Sequence, residues 1–217
     1  MTVFLNHQRV RLALHTLLSA PGQPLLLLHG LGETSPPALP AEFSTWPGPV
    51  YALDFTGHGQ SSVPGGGGYT AETLMADADA ALLRLGPSTV VGRGLGAYVA
   101  LMLAGARPRD VRGVILCDGP GLEGGGDRPG PAVIHPVPDQ SEGADPFALL
   151  ELANDVRPAD YAASFAELAA RGSGMEQPIS IVATARPAWL TAVERQQGAV
   201  ITTLDEALAA YANSQVR

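Results

Sequence analysis

Lysine is absent from this chain: its 217 residues carry 13 basic side chains, all arginine, against 21 carboxylates, for a net charge of −8. That balance gives no long-range attraction to nucleic acid or to an anionic membrane surface. It also removes the lysine of a phosphate loop, so the glycine run Gly65–Gly68 does not read as a nucleotide cradle. Cysteine is nearly absent too. The lone Cys117 excludes an intramolecular disulfide, and with nothing pointing to an oxidising compartment the cytoplasm is the expected one. The N-terminus has no basic segment followed by a long apolar stretch. The longest apolar run, around Leu25–Leu28, falls far short of the ~20 residues a membrane span needs, so neither secretion nor a span is expected. The five histidines and single cysteine show no pair at ligand spacing, so no metal and no cofactor is expected. With 46% apolar and only 6% aromatic residues, the chain suits one compact domain over 1–217, short for an α/β plan.

What is there alternates between strand and helix. Val3–Leu5 and Val10–Leu18 read as a hairpin, and Leu25–Leu28, bounded by Pro24 and Gly30, reads as a central strand covered on both faces. Val50–Phe55 is the next strand. Thr70 and Thr73 form an imperfect capping box before Leu74, Ala78, Ala81 and Leu82, which recur at helical spacing. Thr89–Gly92 predicts a strand, Leu95–Ala106 a small-residue helix and Val111–Cys117 another strand. Regularity fails from Gly119 to Pro178, where helices are predicted at Asp145–Asn154 and Ala159–Arg171 within an insertion at about 120–177. Strands at Ile179–Ala183 and Ala199–Leu204, with helices at Pro187–Gln196 and Asp205–Ser214, complete an α/β chain with a mainly parallel sheet flanked by helices.

Three landmarks at the ends of successive apolar strands carry a resemblance: His29-Gly30-Leu31-Gly32, then Asp54-Phe55-Thr56-Gly57-His58-Gly59-Gln60-Ser61, then Val90-Val91-Gly92-Arg93-Gly94-Leu95-Gly96-Ala97. In that order they resemble the α/β-hydrolase family over essentially the whole chain, with a short helical lid in the insertion. The resemblance implies a Gly-x-Ser-x-Gly elbow, which lifts a serine oxygen between two backbone N–H groups. Here the central position is Gly94, and Leu31 and Leu95 would offer the two N–H groups. The acid is expected after Ile179–Ala183, where the chain reads Thr184-Ala185-Arg186-Pro187, and the histidine after the last strand, yet no histidine follows His135. All three catalytic positions are therefore expected to be empty. The expected function is that of a catalytically degenerate member that keeps a pocket or a partner-binding surface.

Other residues are weighed against that expectation. Asp118, ending a strand, is a candidate acid, although a carboxylate beside Gly119 reads first as a loop cap. His135 in the insertion is a candidate base, and together the two define the alternative: a weak hydrolase or lyase with a non-standard catalytic set. Cys117 reads as a small core hydrophobe, and His29 and His58 as struts for loops. His29, Gly30, Leu31, Arg93, Gly94 and Leu95 form the expected ligand-binding set, for a small apolar or carboxylate-bearing molecule. Arg93 and Arg186 either hold an anion or pair with a neighbouring acid such as Asp118. The stretch Pro146–Ala170, with Leu149, Leu150, Leu152, Ala153, Tyr161, Phe165 and Leu168, presents an apolar face for a protein partner or for the sheet beneath it.

Overall fold

The computed structural model describes residues 1–7, 9–121, 143–155 and 157–213. Eight strands form one sheet: β1 (Thr2–His7), β2 (Val10–Leu18), β3 (Leu25–Leu28), β4 (Val50–Leu53), β5 (Ser88–Arg93), β6 (Val111–Cys117), β7 (Ile179–Ile181) and β8 (Ala199–Ile201). Their order is β1-β2-β4-β3-β5-β6-β7-β8. The pairs β1·β2 and β2·β4 are antiparallel and all others parallel, as the expected hairpin entry and parallel sheet require. The helices are α1 (Ala71–Leu85), α2 (Leu95–Ala106), α3 (Pro146–Ala153), α4 (Ala159–Gly172), α5 (Ala188–Glu194) and α6 (Leu204–Ala212). Among the described residues no helix is long and apolar enough to cross a membrane.

Strand alternation sorts the core into two layers. Leu26 and Leu28 of β3, Val90 of β5 and Val114 and Leu116 of β6 face α1, α2, α4 and α5, whereas Leu25, Leu27, Val91 and Ile115 face Phe43, Trp46 and α6. The crossovers explain the imbalance. From β3 the chain steps to β4 on one side and then returns past β3 to β5, so right-handed connections put the β3-to-β4 link on the face opposite α1 and α2. That link holds Pro36, Pro37, Pro40, Pro47 and Pro49, which cannot supply helical N–H groups, and it forms only a 3₁₀ turn at Ala41–Phe43. One face thus carries a full helical layer and the other a thin one.

Two elements differ from expectation. β8 stops at Ile201 rather than Leu204 because Thr203 and Glu206 form a reciprocal capping box that starts α6 at Leu204. Helix α4 is not part of a lid: it is the β6-to-β7 crossover, set so close to α2 that a Cβ at Gly105 would lie 2.6 Å from Phe165 O. The segment outside the layers is the stretch between β6 and α4.

Asp77 of α1 is fully buried, and its Oδ2 accepts from Thr56 N at 2.8 Å. Burial pushes its carboxyl up to about 6, with the Thr56 N–H and the His7 charge opposing. The folded state holds this proton more tightly than the unfolded chain does, so the stability it contributes is complete below the ordinary carboxylate pKa and is lost as pH rises through about 6. Asp77→Asn keeps an acceptor for Thr56 N and removes the ionisation. Urea unfolding from pH 4 to 8 should show the variant losing about 1–3 kcal/mol less than wild type across that range; parallel curves would contradict this.

Candidate functional site

The strand order reverses between β3 and β5, so the chains leaving their carboxyl ends diverge and open a crevice, the usual place for a ligand in such a sheet. Leu31 follows β3, and Leu95 opens α2 directly after Gly94. Gly94 has φ 57° and ψ −121°, a backbone that side-chain-bearing residues rarely adopt. Close approach demands the glycines beside it: a Cβ on Gly96 would lie 2.5 Å from both Leu28 O and His29 O, so α2 seats directly on the end of β3.

The Leu31 and Leu95 N–H groups converge as expected, but they converge on an atom of this chain. Both donate to the Pro120 carbonyl oxygen, at 3.0 and 2.9 Å. Pro120 belongs to the segment after β6, which folds back over the crevice, with Gly94 N donating to Cys117 O at 3.1 Å. The fit depends on absent side chains. A Cβ on Gly30 would lie 2.8 Å from Pro120 Cδ, and one on Gly119 would lie 2.7 Å from Gly94 N. On Gly121, at φ 75°, it would lie 2.8 Å from Leu31 Cβ. A Cβ on Gly94 itself would overlap Pro120 O and come within 2.6 Å of Gly119 C. Two amides aimed at one oxygen can stabilise a carbonyl or an oxyanion; here the carbonyl is Pro120's own.

The sequence profile of the alpha/beta hydrolase family matches residues 25–217. The chain belongs to the alpha/beta hydrolase family. No curated protein matches it. Among solved structures it is similar to the thioesterase domain from the curacin biosynthetic pathway, with 18% identity and TM-score 0.65 over 98% of this chain and 97% of that one. It is similar also to a hydrolase from Pseudomonas aeruginosa, with 17% identity and TM-score 0.66 over 98% of each chain. A third similar structure, from Butyrivibrio proteoclasticus with ferulic acid bound, has 12% identity and TM-score 0.65 over 97% of this chain and 96% of that one. At these identities the likeness shows the fold alone.

The family's site edge is here occupied by groups already engaged. His29 Nδ1 donates to Gly30 O at 2.8 Å and its Nε2 accepts from Phe55 N at 3.1 Å, which fixes the neutral Nδ1–H tautomer. Burial lowers its pKa. His58 binds Thr56 O through Nδ1 at 3.1 Å and takes Gly32 N on Nε2 at 3.4 Å; burial, then the neighbouring His29, lowers it to about 4. Both rings act as struts between loops. Asp118 Oδ2 accepts from Thr184 N at 2.7 Å and Thr184 Oγ1 at 2.6 Å, and its Oδ1 accepts from Ala185 N at 3.0 Å. Burial alone would raise this carboxyl, but the Thr184 and Ala185 donors outweigh it and hold it below the usual carboxylate range. Asp118 therefore sits as a loop cap. His135 lies outside the described residues.

Neither arginine at the strand ends waits for an anion. Arg93 makes a bidentate pair with Glu33 at 2.8 and 2.9 Å, and Glu33 Oε2 also takes Gly30 N at 2.9 Å. Arg186 pairs with Glu194 at 3.1 Å and donates to the carbonyls of Ala183 and Ala185. The expected pairing with Asp118 is replaced in both cases, because Glu33 and Glu194 are brought closer by the loop after β3 and by α5. A carboxylate-bearing ligand thus loses the cations assigned to it. Between β8 and α6 lie only Thr202 and Thr203, and between β7 and α5 no carboxylate occurs.

A cavity of about 820 Å³ does exist, on the thin face of the sheet rather than over Gly94. Leu27, Ala52, Val91, Phe43, Cys117 and Val182 line it, with Glu33, Glu42, Arg93 and Asp118 around them. Of the expected ligand-binding set it touches His29 and Arg93, and not Gly30, Leu31, Gly94 or Leu95. The displacement follows from the proline-rich link, which forms only a 3₁₀ turn and leaves α6 as the one helix among the described residues on this face. Cys117 lines the cavity as well as the core, and burial pushes its thiol up to about 12, so it is no thiolate nucleophile.

The expected apolar partner face turns mostly inward. Leu152 is buried, and Leu149, Ala153, Tyr161 and Phe165 pack on the core, which leaves Leu150 and Leu168 exposed with Phe147. Helix α3 is tied down by its carboxylates: Glu151 Oε2 accepts from Gly68 N and Tyr69 N at 2.7 and 2.6 Å, and Asp145 takes the Tyr69 hydroxyl at 2.6 Å. Among the described residues no cluster of three or more His, Cys, Asp or Glu side chains could hold a metal. One polar constellation escaped the sequence reading: Thr2 Oγ1 meets His15 Nδ1 at 2.9 Å, and His15 Nε2 meets Asp54 Oδ2 at 2.9 Å. Asp54 also accepts from Ser35 N and Gln60 N at 2.7 and 2.9 Å, so this row fastens the sheet edge. Its sequence signals are Asp54, which opens the second landmark, and a histidine in an alternating strand, but nothing in their spacing pairs them.

Proposed function

We propose that this chain is a non-hydrolytic member of the alpha/beta hydrolase family that uses its fold to bind a small molecule. What carries this reading is the Pro120 carbonyl, seated on the Leu31 and Leu95 amides opposite a glycine at the elbow. A substrate carbonyl finds the donor pair taken, and the elbow position itself, Gly94, offers no side-chain oxygen to attack it. The missing acid after β7 and missing histidine after β8 point the same way. An oxyanion hole with binding alone gives ~10³–10⁴ over water in enzymes stripped of their triad, and here even that hole is filled. The alternative, a weak hydrolase or lyase working through Asp118, has against it that both oxygens of Asp118 are held by Thr184 and Ala185.

A fluorophosphonate probe tests the reading. Wild type is expected to remain unlabelled at every serine, and Gly94→Ser is expected to show neither labelling nor ester turnover, because no histidine follows the last strand to accept the proton. Stoichiometric labelling of wild type, or triad-like turnover in the variant, would overturn it.

A further inference from the structure

We infer that the cavity on the thin face of the sheet is a site for an organic ammonium, an apolar ring or short chain that ends in a protonated amine. This rests on the binding role proposed above but not on the loss of catalysis. The floor is apolar: Leu27 and Val91 come from β3 and β5, Ala52 from β4, Phe43 from the 3₁₀ turn and Val182 from the end of β7. A volume of about 820 Å³ lies within the usual range for small-molecule pockets.

The charges decide which molecule fits. Arg93 is the cavity's one cation among the described residues, and both guanidinium contacts go to Glu33, so that pair contributes no net charge. What remains is Glu42 and Asp118, both negative. Glu42 makes no hydrogen bond or ion pair among the described residues and is exposed at the turn, so it alone is free to meet a ligand charge. Asp118 spends its oxygens on the loop after β7 but keeps its charge at the cavity wall. In a chain of net charge −8 the wider field acts in the same sense, drawing cations and repelling carboxylates.

Titration of the native protein with 4-phenylbutylamine and with 4-phenylbutyrate at neutral pH, followed by calorimetry and by the backbone amide signals of the lining residues, separates the two charges. The amine is expected to bind at least about tenfold more tightly than the carboxylate and to shift the amides of Val91, Cys117 and Val182. Glu42→Gln, an exposed change, should cut that preference about threefold or more. No binding of the amine, equal affinities, tighter binding of the carboxylate, amide shifts confined to other parts of the fold, or a preference untouched by Glu42→Gln would each overturn the assignment. Fluorophosphonate labelling bears only on the catalytic reading, so the two can fail separately.

Discussion

Gly94→Ala is expected to cost roughly 2–5 kcal/mol of stability, an unusually large effect for adding one methyl group at the N-terminal end of a helix. Two terms add. The backbone at φ 57°, ψ −121° is strained for any residue with a Cβ, and that Cβ would overlap the Pro120 carbonyl. In a working elbow of this family the same strain is borne by a serine whose oxygen enters open space. Here the space is filled, so the chain must either keep the strain and the overlap or lift Pro120 off the Leu31 and Leu95 amides. Urea unfolding measures the cost. Gly65→Ala is the control: a Cβ there meets nothing within 4 Å, and the change should be neutral or slightly stabilising. Equal midpoints for Gly94→Ala and wild type would mean that Pro120 is not seated where we place it.

Trp189→Ala is expected to cost about 3–5 kcal/mol. Trp189 of α5 is fully buried and meets Tyr98 of α2 edge to face, with ring centroids 5.0 Å apart at 82°. Its removal opens a cavity between α2 and α5 and strips an aromatic contact from Tyr98, whose hydroxyl is buried without a hydrogen-bond partner among the described residues. Domains hold only about 5–15 kcal/mol in all, so the variant should unfold well below wild type in urea. Leu150→Ala, at a side chain 58% exposed, should shift the midpoint little. A small Trp189 effect would contradict the burial of its ring against Tyr98.

Much of this fold is legible in local chemistry. Four consecutive leucines would favour a helix on propensity, yet Pro24 and Gly30 leave no length for one, and both faces of Leu25–Leu28 are buried as a central strand requires. Helices α1 and α2 follow from their apolar spacing and from the Thr70 cap and the Gly94 turn. The end of β8 is misread because the Thr203–Glu206 capping box, although local, competes with a β-branched run that continues through Thr202 and Thr203 towards Leu204. Helix α4 is less legible for a different reason: a crossover helix and a lid helix carry the same amphipathic pattern, and what separates them is the close seating of α4 on α2 at Gly105.

The site is less legible, because it is made of long-range approaches. Gly94 announces a missing side chain, but nothing adjacent says that Pro120 will fill the gap; the only hint is the pair of glycines flanking that proline, which let the segment lie flat. The partners of Arg93 and Arg186 are fixed by loop positions rather than by spacing. The cavity itself is foreshadowed by the prolines between β3 and β4, since a link that cannot form a helix leaves one sheet face thinly covered.

The most direct measurement is NMR scalar coupling across hydrogen bonds in uniformly labelled wild-type protein. Couplings from both the Leu31 and the Leu95 amide nitrogens to the Pro120 carbonyl carbon, with slow exchange at both N–H groups, are what the account predicts. Rapid exchange at these two amides without any coupling to Pro120 would contradict it, for the hole would then stand open to a substrate.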